Sequence, residues 1–550
     1  MRYVLCFFLV ALAIACSQDK KIKLSDVRGA ERIIGLEFSE SEEDTLLDYL
    51  RENREGFDSM RALHLPYEIT PALYFDPRPA NFVPRQRQGP SEWSIPDEVQ
   101  LPSSDADIAF LPVSHLSALI RSRKITSVRL TKIYLERLKH YKDTLQAVVT
   151  ITEDLAMRQA ARADEEVKAG KIRGPLHGIP YGIKDLFAVP GYKTTWGAEP
   201  YQEQYLADTA AVVKRLEEAG AVLVAKLVSG ALARGDVWFG GKTKNPWDLK
   251  QGASGSSAGS GSATAAGLVA FSIGTETLGS ILAPSGRCGA TGLRPTFGAV
   301  SRDGCMTLSW SMDKAGPICR TAQDCALVFD AIKGRNPGEA DRSVTDYPFF
   351  FHKRKDLAGF RIGYFKKFFD KDSSNTGSNN ARTLEEFKKL GAVLEPVELP
   401  DSIPFKGFDI ILRAESGAFF DELVREHRER LMSEQDKGSR ANSLRQARFI
   451  PAVEYLQANR YRTVMIEKLQ KLFSRYDIII APAQGFRLSL ATNLSGHPAI
   501  SVPNGFDKKG HPTAVILYGN LYDEGPLLEA AWLFQMSTAY EEKHPELFGR

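Results

Sequence analysis

The sequence predicts an α/β fold: one large mixed sheet covered by helices on both faces. Three observations carry the prediction. From Leu111 to Leu227, amphipathic helical repeats alternate with short, continuously apolar runs, the pattern of strands buried on both faces between helices. Strand-like runs separated by helical stretches recur between Arg361 and Tyr518. Composition does not shift along the chain and no repeat is visible, so one large domain is favoured although 550 residues would allow two or three.

Met1 to Cys16 stands apart. Arg2 is followed by an apolar run, Tyr3 to Ala15, too short to span a bilayer. Leu12-Ala13-Ile14-Ala15-Cys16 resembles a bacterial lipoprotein cleavage box. The expectation is a signal peptide over residues 1–16, then export to the periplasm or anchoring at the outer membrane through lipidated Cys16. Residues 17–104 read as an extension. Ser39 to Leu63 is charged and helix-periodic, with Leu46, Leu47, Leu50, Phe57 and Met60 as apolar anchors. The prolines from Pro66 to Pro102 then exclude long regular structure and predict an extended strap.

The main domain is expected over residues 105–550. Ser114 to Arg121 reads as a short helix capped by Ser114. Thr126 to Tyr141 is a helix with Val128, Leu130, Ile133, Tyr134 and Leu138 on one face. Thr144 to Thr152 is strand-like, and Asp154 to Ala169 is a polar helix. Pro180 to Asp185 carries Lys184 at the end of an apolar segment. Asp208 is expected to cap a helix that Gly220 closes, before a buried strand, Ala221 to Leu227. Beyond the central region, Thr321–Ile332, Ala452–Phe473 and Gly525–Thr538 read as helices. Arg361–Phe365, Ala392–Leu399, Tyr476–Ala481 and Thr513–Tyr518 read as strands, and Asp370–Asn380 as a polar surface insert.

The stretch that organises the rest is Gly252 to Pro295. Its first half is nearly all Gly, Ser and Ala, which lets backbones approach closely and leaves hydroxyls and amides for a ligand. A loop opens it, a small-residue helix follows to Gly267, then a strand-like run from Val269 to Ile273, then a second loop at Gly279-Ser280. A flexible linker is disfavoured by the ordered apolar pattern that follows. A phosphate loop would need a Gly-Lys-Ser/Thr ending, which is missing. Gly255-Ser256-Ser257-Ala258-Gly259 spells a nucleophile elbow, but that turn needs a strand just before it, and Asn245-Pro246-Trp247-Asp248 is turn-like. Lys184 serves as a base only if burial lowers its pKa.

Lys184, Asn245-Pro246-Trp247, the Ser256-Ser257 pair, Gly274-Thr275-Glu276-Thr277-Leu278-Gly279-Ser280 and Gly292-Leu293-Arg294-Pro295-Thr296 together resemble the amidase signature family, from about Asp105 to the C-terminus. The resemblance implies the amidase signature fold and a Ser–Ser–Lys triad. Ser280 matches the family nucleophile. Ser256 matches the bridging serine, usually preceded by a cis peptide bond. Lys184 matches the base. The amides of Thr277, Leu278, Gly279 and Ser280 are then the expected oxyanion donors. The chemistry is coherent, because a serine hydroxyl is a weak nucleophile until a neighbouring base takes its proton. The sequence departs from the family where Asp, Gly and Arg are usual and Glu276, Leu278 and Leu282 stand. The resemblance implies that the acid and the arginine brace the nucleophile loop. Leu282 cannot do so, which leaves Arg287 or Arg294.

The implied activity is hydrolysis of a carboxylic amide. The alternatives are the glutaminase subunit of a tRNA-dependent amidotransferase and a non-catalytic binding protein on the same scaffold. A small-molecule amide is the expected partner; the oligomeric state stays open, a homodimer included. A net charge of +3 gives no nucleic-acid or membrane footprint. Six cysteines match no zinc pattern, and nine histidines include no metal or triad motif. No metal and no cofactor are expected.

Overall fold

The computed structural model describes residues 22–63, 66–80, 82–85, 89–370, 377–400, 403, 405–483 and 485–549. The expected signal segment and Cys16 lie outside them. The chain divides into two compact units, up to Ile69 and from Thr70 onward. The first holds the helices Leu24–Ile34 and Glu40–Arg61, the second of which starts at a Ser39–Glu42 capping box. Arg28 pairs with Glu43 at 2.8 Å between them.

In the second unit, the described residues of 70–104 contain no helix or strand. Several of them bond or stack on the body of the second unit. Arg85 Nη2 donates to the Tyr476 carbonyl at 2.8 Å, and its Nη1 pairs with Asp477. Glu92 N donates to Phe351 O at 2.7 Å, and Trp93 stacks on the Phe351 ring.

The strands of the main sheet are β1 (Val148–Ile151), β2 (Pro180–Lys184), β3 (Val222–Leu227), β4 (Phe271–Glu276), β5 (Thr291–Arg294), β6 (Lys314–Cys319), β7 (Arg361–Phe365), β8 (Val393–Val397), β9 (Ile478–Pro482), β10 (Ala499–Phe506) and β11 (Pro512–Gly519). Among the described residues they form one eleven-stranded sheet in the order β1-β3-β2-β4-β6-β5-β10-β11-β9-β7-β8. It is mixed: β2 runs parallel to β3 and β4, whereas β6 is antiparallel to β4 and β5. Strands β2 to β6 and β9 are buried at every residue, which requires cover on both faces. The α/β expectation holds.

Several boundaries differ for local reasons. The helix expected to end at Tyr141 continues to Leu145, where Gln146 turns left-handed, so β1 begins only at Val148. Ser114 is not a cap. The helix starts at Val113, and its first amides donate to the Asp324 carboxylate from another helix. Asp208 caps nothing, because the next helix begins at Ala211 behind Ala210. β4 extends past Ile273 to Glu276. Within the expected insert, residues 371–376 lie outside the described set. Asn379 and Asn380 are buried on the helix Gly377–Lys389, where they bond Thr513 and Asn504.

Candidate active site

Lys184 ends β2, and the parallel register with β4 (Ile183 opposite Ile273) brings Thr275 beside it. Ser256 and Ser257 precede the helix Ala258–Ala265. Glycines are needed there because of contact distance. A Cβ on Gly259 would sit 2.3 Å from Val228 N and one on Gly255 1.8 Å from Gly235 O. Gly255 and Ser256 are joined by a cis peptide bond. Ser280 lies on the turn between β4 and the helix Leu282–Cys288, after Gly279 at φ +85°. Ser257 N donates to Ser280 O at 3.1 Å and ties the two loops together.

Lys184 is fully buried. Its Nζ lies 2.8 Å from Ser256 Oγ, 2.8 Å from Thr275 Oγ1 and 3.1 Å from Ser257 Oγ. Among the described residues it has no carboxylate within ion-pair distance. Burial therefore lowers its pKa to about 7, despite the opposing pull of the more distant Cys305, Asp313 and Glu276. A neutral amine has two N–H groups and one lone pair. Ser257 spends its own hydroxyl proton on Thr275 O at 3.0 Å and so accepts from Lys184. With Thr275 Oγ1 accepting the second N–H, the lone pair is left for the Ser256 hydroxyl. The sequence reading missed Thr275 and the bracing role of Ser257. A hydroxyl next to the Glu276 position was the only available signal.

The turn that carries Ser280 is braced from behind. Glu276 is completely buried. Its Oε2 accepts Ile281 N and Leu282 N, and its Oε1 accepts Arg294 Nη1 at 2.9 Å and Asn493 Nδ2 at 3.0 Å. Burial opposes ionisation of this carboxyl, but Arg294, Lys314 and the two amides hold its pKa below the ordinary value. Of the two arginines left open by the sequence, Arg294 braces the loop, whereas Arg287 bonds Gln251. Thr277 Oγ1 donates to Asp313, which also accepts the amides of Leu308 and Ser309. The amides of Leu278, Gly279 and Ser280 donate to no protein acceptor among the described residues.

A cavity of about 360 Å³ opens on this loop, lined by Gly255, Thr277, Leu278 and Ser280 together with Arg234 and Arg440. The other sequence candidates resolve as structural. A short strand, Asp248–Gly252, does precede the elbow-like spelling, but it belongs to a two-stranded ribbon outside the main sheet. His177 bonds Ala163 O, and His497 is buried against Ser495. Cys288, Cys305, Cys319 and Cys325 are free thiols.

A family model described as Amidase matches residues 129–528.
The chain belongs to the amidase family.
It is an α/β enzyme of a family whose members act on carbon–nitrogen amide bonds. This amidase is 31% identical over 491 residues to the A subunit of glutamyl-tRNA(Gln) amidotransferase from Carboxydothermus hydrogenoformans, covering 80% of this chain and 100% of that protein. It is 32% identical over 483 residues to the corresponding protein of Methylococcus capsulatus, covering 79% and 98%. Among solved structures, native peptide amidase from Stenotrophomonas maltophilia superposes with a TM-score of 0.69 at 28% identity, covering 78% of this chain and 97% of that one. These relatives correct the localisation expectation. The relatives are subunits of glutamyl-tRNA(Gln) amidotransferase and give no support to export, so the exported, periplasmic or outer-membrane lipoprotein reading is withdrawn, and its signal-peptide and lipid-anchor features with it. A short apolar run ending in Cys was too little to carry it. Among the described residues no helix is long and apolar enough to cross a membrane.

Proposed function

We propose that this amidase hydrolyses a small-molecule carboxylic amide through an acyl-enzyme on Ser280. Neutral Lys184 takes the Ser256 hydroxyl proton as Ser256 takes that of Ser280. The Ser280 Oγ–carbon bond forms, and the carbonyl oxygen becomes an oxyanion facing the amides of Thr277, Leu278, Gly279 and Ser280. Each such donor contributes about 3–4 kcal/mol in comparable enzymes. Ser256 then gives a proton to the departing nitrogen as the carbon–nitrogen bond breaks. Water enters along the same relay and releases the acid. In this reading residues 105–550 form the catalytic domain and residues 17–104 its extension.

The observation that carries the proposal is a fully buried amine 2.8 Å from a serine hydroxyl with no carboxylate within ion-pair distance among the described residues. Treatment with a fluorophosphonate followed by peptide mapping tests it. We expect a single adduct on Ser280, lost in Lys184→Ala. Folded protein without that adduct refutes the proposal.

The curated relatives favour a second reading, the glutaminase subunit of an amidotransferase. It requires partner proteins that co-purify with the chain and receive its ammonia. Full turnover by the isolated chain excludes that dependence.

A further inference from the structure

The cavity lined by Ser280 is also lined by Arg234, Lys437 and Arg440. Arg440, on the helix Arg440–Ala447, is only 5% exposed. Its Nε donates to Leu232 O at 3.1 Å and its Nη2 to Ala233 O at 3.2 Å. Both acceptors are neutral carbonyls. Among the described residues its Nη1 makes no hydrogen bond, and no carboxylate lies within ion-pair distance of it. Arg234 and Lys437, which line the same cavity, are likewise without an ion pair among those residues. A buried guanidinium with no counter-charge is costly unless a ligand supplies one. Burial, and then neighbouring Arg234, push the Arg440 pKa down to about 9, against a weaker pull from Asp313 and Asp409.

Both of those carboxylates are already engaged. Asp313 holds Thr277, Leu308 and Ser309. Asp409 pairs with Arg413 and is the one carboxylate among the described residues lining the cavity. The cavity thus offers an anion a fixed guanidinium, and among the described residues it keeps no unpaired acid for an ammonium group. Arg suits this task because its planar fork takes a carboxylate bidentately.

We propose that the acyl part of the substrate carries a carboxylate that docks on Arg440, with Arg234 beside it, and carries no ammonium group: a monoamide of a dicarboxylic acid. The proposal rests on Ser280 as the nucleophile and adds the substrate class.

The test compares kcat/KM of the full chain for succinamate, for its neutral counterpart butyramide, and for glutamine, which adds an ammonium group. We expect succinamate to exceed both by about 10–100-fold, the value of a charge-assisted hydrogen bond. In Arg440→Gln the succinamate-to-butyramide ratio should collapse toward one, chiefly through KM. Arg440→Lys should restore part of it. As a measurement independent of any variant's folding, succinate should inhibit the wild-type chain competitively at concentrations where butyrate does not. Equal turnover of succinamate and butyramide overturns the carboxylate subsite. Glutamine turned over as well as succinamate overturns the exclusion of ammonium. Fluorophosphonate mapping separates the levels: an adduct on Ser280 without succinamate preference sinks the substrate class alone. Absence of both adduct and amide turnover sinks the catalytic reading as well.

Discussion

Lys184 and Lys226 are both fully buried, yet they have different fates. Lys226 lies 2.8 Å from Asp185 and stays paired, although burial lowers its pKa. Among the described residues Lys184 bonds only hydroxyls and a carbonyl, so losing its proton is the way to relieve desolvation. The sign of the pH dependence follows. The base is competent when neutral, its pKa lies at about 7, and the neutral fraction grows as pH rises through that value. A plot of log kcat/KM should therefore climb with a slope near one below about pH 7 and level off above it. An activity limb centred near the ordinary lysine pKa would contradict the assignment. Lys184→Ala should lose about 10²–10⁴-fold in kcat, the usual share of a positioned base. Ser280→Ala should lose roughly 10⁶-fold, as removal of a serine nucleophile does elsewhere. Single-turnover kinetics on a chromogenic amide measures both. Both residues were singled out in the sequence through the family resemblance that their motifs carry. Thr275 was not, since its role exists only through the β2–β4 register.

At the level of elements, the turn after β4 is held by a buried ion pair that joins β4 to β5 and by Asn493 from the helix Phe486–Leu494. Removing one partner of a buried pair leaves the other uncompensated. Arg294→Met should cost about 3–5 kcal/mol in denaturant unfolding. Glu276→Gln, which keeps some of the hydrogen bonds, should cost less. If Arg294→Met melts like the parent, the brace is not where the stability lies. The strap contributes less. Arg85→Ala removes a charged hydrogen bond to Tyr476 O and the contact with Asp477, and about 1.5–3 kcal/mol is expected from the same assay. The proline run made the extended form of this segment readable. Its partners, hundreds of residues away, were not readable.

On the scale of the whole molecule, the free thiols report the integrity of the sheet and its cover. Cys288 and Cys319 are fully buried, and burial raises both thiols above their ordinary pKa. Alkylation at pH 8 should leave them unmodified in the folded chain and label them once it unfolds, as read by peptide mass. Rapid labelling under native conditions would mean that this core opens. By itself the sequence determined the α/β class, the two loops that carry the serines and the lysine that faces them. Apolar periodicity and small residues are local signals, and they survive in one dimension. Tertiary structure alone decided that Arg294 replaces the missing brace, that Asp324 caps a distant helix and that Arg440 lines the same cavity as Ser280 without an ion-pair partner among the described residues. Each of these depends on which remote group arrives, and desolvation becomes large only after the chain has closed around it.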